Sequence, residues 1–124
     1  MCIRDRAYSR LGASGIFFTQ LIDRLGIAAE INARAKIIPQ GFTAELLVSG
    51  QADLAVQQIS ELKLVAGVEI VGPIPRRLQR PAVFSAGRLA MSDNVASSDR
   101  LLKFLASPGA IPALRESGLE PFSP

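Results

Sequence analysis

The stretch SGQADLAVQQIS, residues 49–60, joins the end of one element to the start of the next and fixes how the chain is read. Ahead of it, GFTAELLVSG (41–50) has helical spacing and is closed by Gly50. After it, ADLAVQQ (52–58) reads as a strand, with an apolar run at Leu54, Ala55 and Val56. That strand ends in two uncharged amides, Gln57 and Gln58, where a buried strand would be expected to stay apolar. A glycine-closed helix passing directly into a short apolar run is the helix-to-strand step of a layered α/β protein.

Working outward, the same step recurs. RAYSR (6–10) reads as a short strand and LGASG (11–15) as a turn with permissive backbone. SGIFFTQLIDRLGI (14–27) reads as a helix, with Ser14 as its N-cap. Its broad apolar face is built from Ile16, Phe17, Thr19, Leu21, Ile22 and Leu25, and Gly26 ends it. A strand at Lys36–Ile38 is stopped by Pro39. Towards the C-terminus, VEIVGPIP (68–75) and RPAVFSAGRLAM (80–91) read as two further strands. ASSDRLLKFLASPGAIPALRESG (96–118) reads as helical in two pieces, broken at Ser107-Pro108 and closed by Gly118. Strands alternating with helices predict an α/β fold with a mostly parallel sheet, whose ligands sit outside the carboxyl ends of the strands.

Composition narrows the chemistry. The 124 residues are 48% hydrophobic and 20% charged, normal for a folded unit able to bury a core without disulfides. Net charge is +3, but the only local basic cluster is Arg76, Arg77 and Arg80, with no interleaved aromatic residue, so nucleic acid is not expected as a partner. There is no His, which rules out a Ser-His-Asp triad or a Cys-His pair within this chain. The single cysteine, Cys2, cannot build a zinc or iron–sulfur site, so neither a metal nor a cofactor is expected.

Residues 1–6, MCIRDR, continue into no pattern of the chain and match the in-frame translation of a sequencing-adapter end. They are set aside as a scar, Cys2 with them. The expectation that follows is a chain starting inside a longer protein.

Two places lie at the ligand end of such a sheet. One is the turn before the first long helix, where Ser14 and Gly15 offer a hydroxyl and open amides to an anion, with Arg10 adding charge. The other is the pair Gln57-Gln58, of which a regular strand points only one into a cleft. Ser60 and Glu61 read as the cap and first turn of a short helix, and Phe84 and Met91 as packing residues.

AYSRLGASGIFFTQLIDRLGI, IPQGFTAELLVSGQADLAVQQISEL, GVEIVGPIPRRLQ and LLKFLASPGAIPALRESGLEPF, taken in order, resemble the second half of a bacterial extracellular solute-binding protein. Within that group the likeness is to the molybdate-binding-like family of ABC importer receptors, and it runs from Ala7 to Phe122. The resemblance implies a type 2 periplasmic-binding-protein fold. Residues 7–79 would form the second α/β lobe, with a hinge near Gln79–Pro81. Residues 80–124 would return to a first lobe that is missing from this sequence. Such a fragment would leave a cleft wall exposed. The family's second-lobe contacts fall on Ser14 beside Gly15, on a backbone amide at about Phe42, and on Gln58, where the family carries a tyrosine. A carboxamide both donates and accepts, which suits an organic acid better than molybdate. The implied function is a periplasmic receptor that binds a small anion and presents it to a membrane permease. Two alternatives share the fold. One is an isomerase of a tricarboxylate, of the aconitate isomerase kind, with Tyr8, Glu61 or a residue of the missing half moving the proton. The other is the effector-sensing domain of a transcription regulator.

Overall fold

The computed structural model describes residues 5–121, so Cys2 of the presumed scar and Phe122 lie outside the described residues. The chain divides into two units, residues 1–81 and 82–124.

The first unit is built on three parallel strands in the order β2-β1-β3. They are β1 (Arg6–Ser9), β2 (Ala35–Ile38) and β3 (Leu54–Val56). Tyr8 lies opposite Ile37 on one side and Val56 on the other, so β1 is the central strand. The backbone ahead of Ala7 takes part as well: Arg6 pairs with Ala35 and Leu54, and the Asp5 carbonyl accepts from the amides of Asp53 and Leu54.

The long helix α1 (Ala13–Arg24) follows β1 and packs on the sheet. Leu21 and Ile22 are buried, and the ring of Phe18 meets that of Tyr8 edge-to-face with centroids 5.1 Å apart. The Tyr8 hydroxyl donates to Asn32 Oδ1 at 2.7 Å, tying β1 to the short helix α2 (Ala28–Asn32). The predicted end of α1 holds. Gly26 takes φ 70°, its amide bonds to Asp23 and that of Ile27 to Ile22, the paired closure that favours a residue without a Cβ. Gly50 closes the helical segment before β3 in the same way.

The predicted start of α1 shifts. The N-cap is Gly12, whose carbonyl accepts from the Ile16 amide at 3.0 Å, which moves Ser14 into the first turn. Close approach explains the glycine: a Cβ on Gly12 would stand 2.9 Å from Ser9 Oγ. Gly15 is tighter still, since a Cβ there would fall 1.7 Å from the Ser9 carbonyl oxygen. The helix can therefore seat its first turn on the end of β1 only with glycine at this position.

Past β2 come α3 (Glu45–Val48), then β3, then α4 (Ile59–Leu62). The strand predicted over 52–58 stops at Val56, so both glutamines lie beyond it. The strand predicted over 68–75 does not form. Pro73 and Pro75 lack the amides a ladder needs, Gly72 sits at φ 144°, and Val71 is 90% exposed. The segment closes in a 3-10 turn at Arg76–Leu78, whose Leu78 carbonyl accepts from the Arg24 guanidinium.

In the second unit the long strand predicted over 80–91 is also absent, because no strand among its described residues is available to pair with it. Phe84 and Met91, expected to pack, stand exposed for the same reason. The helical reading of the tail holds. The helices are α5 (Val95–Leu105) and α6 (Ile111–Glu116), separated by a 3-10 turn at Pro108–Ala110. An ion pair of 3.0 Å between Arg88 and Asp99 fastens the segment ahead of α5 to that helix. Among the described residues no helix is long and apolar enough to cross a membrane.

Candidate functional site

All three strands are parallel, so their carboxyl ends open on one edge of the sheet. A cleft of about 310 Å³ lies there. Each strand contributes the residues that follow it. Ser9, Leu11, Gly12 and Ser14 come after β1, Pro39, Gln40 and Gly41 after β2, and Gln57 and Glu61 after β3. This is the position at which α/β sheets take ligands, beside the central strand from which the strand order runs both ways.

The N-terminus of α1 faces the cleft through Gly12 and Ser14. Gly12 provides no side-chain cap, and the first intrahelical bond is that of Ile16. The amides of Ala13, Ser14 and Gly15 thus have no partner within the helix, and they carry its positive end. Beneath them Ser9 is 4% exposed, and its hydroxyl is buried without a hydrogen-bond partner among the described residues.

The two glutamines divide their work. Gln57 Oε1 accepts from both the amide and the hydroxyl of Thr43, each at 2.8 Å, while its Nε2 donates to the Gly41 carbonyl at 3.2 Å. Thr43 is fully buried, so Gln57 supplies the acceptor that its two donors need. A carboxamide has two N–H groups, and these bonds use one of them, leaving a donor beside the cleft. Gln58 is the N-cap residue of α4, where its carbonyl accepts from Glu61 and Leu62 and its side chain makes no cap.

Of the predicted contacts, the cleft brings together Ser14 and Gln57. Gly15 is buried against Ser9, Phe42 is half-buried with its carbonyl accepting from Glu45, and neither lines the cleft. Gln58 is also outside the lining. Arg10 borders a different groove, of about 420 Å³, with Tyr8, Ile16, Thr19, Gln20 and Ile37. Glu61, read from sequence as part of a helix start, is the one ionisable side chain among the residues lining the cleft. It makes no hydrogen bond or ion pair through its carboxylate among the described residues, while its amide holds it in the first turn of α4. Neither Ser9 nor the direction of Glu61 has a local signal in the sequence, because both depend on how α1 and α4 leave the sheet.

Residues 6–120 match the family of bacterial extracellular solute-binding proteins. The chain belongs to that family. It is also 35% identical over 116 residues to a Pseudomonas protein named aconitate isomerase, an alignment that covers 93% of this chain and 44% of the relative. The chain therefore spans less than half the length of the curated relative it matches. No solved structure matches it. Membership accounts for the α/β layers and the small parallel sheet.

Proposed function

We propose that this chain is the C-terminal part of a two-lobed periplasmic receptor that binds a small organic acid and delivers it to an ABC permease. The observation that carries the proposal is the open N-terminus of α1 at the carboxyl edge of the parallel sheet. One carboxylate of the ligand would accept from the amides of the first turn and from the Ser14 hydroxyl, with the spare N–H of Gln57 alongside. Among the described residues no Lys or Arg lines the cleft, so recognition by them rests on hydrogen bonds and the helix dipole. A compact dianion such as molybdate fits that setting less well than a polycarboxylate. It concentrates two charges on one small group, where the described lining offers hydroxyls, a Gln side chain and helix amides.

The test is a thermal-shift panel on the complete protein encoded at the locus, with molybdate, tungstate, sulfate, and di- and tricarboxylates. A ligand bound only by the native state at 100 times its Kd adds about 2.7 kcal/mol and raises Tm. The expected result is a shift with a carboxylate and none with molybdate. A shift with molybdate alone would replace the organic acid by an oxyanion, and no shift with any anion would sink the receptor reading.

A second reading, isomerisation of a tricarboxylate, is favoured by two observations. The curated relative carries that name, and an ionisable side chain, Glu61, stands in the cleft.

A further inference from the structure

We propose that Glu61 is the residue that carries the proton in a double-bond shift on an unsaturated tricarboxylate bound in this cleft. The inference rests on the carboxylate-binding reading above and adds a reaction to it. Three observations converge on Glu61.

It is the single ionisable side chain among the lining residues, so proton transfer by this part of the chain has one candidate. Tyr8, the other group named from sequence, borders the other groove and gives its hydroxyl proton to Asn32. Second, the Glu61 carboxylate has no partner among the described residues, although the residue is half-buried. The protein leaves this carboxylate free to meet a bound molecule. Third, its position is fixed from below. Gln57 is bonded to Thr43 and Gly41, and the Gln58 carbonyl holds the Glu61 amide at 3.0 Å. The first turn of α4 is thereby held near the segment that leads into α3, and Glu61 lines the same cleft as Gly12 and Ser14 at the start of α1.

The chemistry suits a cleft that holds both groups. With one substrate carboxylate on the α1 amides, Glu61 removes a proton from the methylene between a second carboxylate and the double-bond carbon. The C–H electron pair becomes the new carbon–carbon double bond. The old π pair moves to the former vinyl carbon, which takes the proton back from Glu61. One C–H bond breaks and one forms, no electron is gained or lost, and Glu61 ends as a carboxylate. The negative charge that develops in between spreads onto the flanking carboxylates, where the helix N-terminus favours it. A negative side chain in an otherwise anion-seeking cleft opposes simple binding, and proton transfer gives it a role.

The experiment compares wild type, Glu61→Gln and Glu61→Asp in the complete protein. Isomerisation of cis- and trans-aconitate is followed by proton NMR in light and heavy water, and binding of the same acids by thermal shift. Wild type should interconvert the isomers and place solvent deuterium at the allylic carbons. Glu61→Gln should lose about 100-fold or more in rate, the span of general acid–base catalysis. It should lose the deuterium exchange too, while its thermal shift with the tricarboxylate stays as large or grows. Glu61→Asp should recover part of the rate, which also guards against a Gln variant that folds poorly. An undiminished rate in Glu61→Gln overturns the proposal. So does a wild type that binds the tricarboxylate without isomerising it, an outcome that leaves the receptor reading standing. No shift with any carboxylate removes that reading, and the proposal with it.

Discussion

Leu54–Val56 and Val68–Val71 carry the same kind of signal and end differently. Both are short runs rich in residues that fit a pleated sheet. The first becomes β3, because the edge of β1 is open beside it and the Asp5 carbonyl takes the amides of Asp53 and Leu54 at 2.9 and 3.2 Å. The second stays outside the sheet. Pro73 and Pro75 remove donors from its far half, and Val71 is left almost wholly in solvent. Residues 82–91 repeat the second outcome, every one of them exposed. Apolar alternation marks what a segment can do in a sheet, and a free, matching edge decides whether it does it.

Four substitutions sharpen or break that comparison. The largest effect is expected where the paired region is tightest. Gly15→Ala drives a methyl into the Ser9 carbonyl and should destabilise the chain by about 3 kcal/mol in urea unfolding, the upper end of ordinary overpacking. A loss below about 1 kcal/mol would mean that α1 does not seat on β1 as described.

Next comes the contrast between neighbours just past β3. Gln57→Ala strands the amide and the hydroxyl of buried Thr43 and should cost about 2 to 3 kcal/mol. Gln58→Ala, with no side-chain cap to lose, should stay within about 0.5 kcal/mol. Equal losses would erase the distinction between a bracket and a bystander.

The smallest effect belongs to the unpaired region. Val71→Ser should change stability by less than about 0.5 kcal/mol, since a side chain already in water has no burial to lose. A loss above about 1 kcal/mol would show that residues 68–71 pair with something after all.

These contrasts also trace what could be read from the residues alone. Helix ends were legible because their cause is local: Gly26, Gly50 and Gly118 each take a positive φ that few other residues accept. The break before Pro108 was legible for the same reason. The carboxyl edge as the place for a ligand followed from the order of elements. Which residues face it did not. Gln57 is explained by Thr43 and Gly41, 14 and 16 positions away. Ser14 lost its capping role to Gly12, because Ser9 comes so close to the start of the helix. Glu61 carries the local mark of a first-turn acid, a mark that says nothing of the cleft it lines. The two strands that did not form carry an adequate pattern, and their fate depends on pairing partners outside their own residues.

The central claim is that the first turn of α1 is the ligand's anchor. The most direct test is a titration of the isotope-labelled complete protein with a tricarboxylate, following the amide resonances of Gly12 and Ser14 by nitrogen–proton NMR. A carboxylate held at the start of α1 should move them saturably, together with the Gln57 side-chain amide, and leave Arg10 and Gln20 beside the other groove unmoved. Saturable binding with both resonances silent would contradict the account.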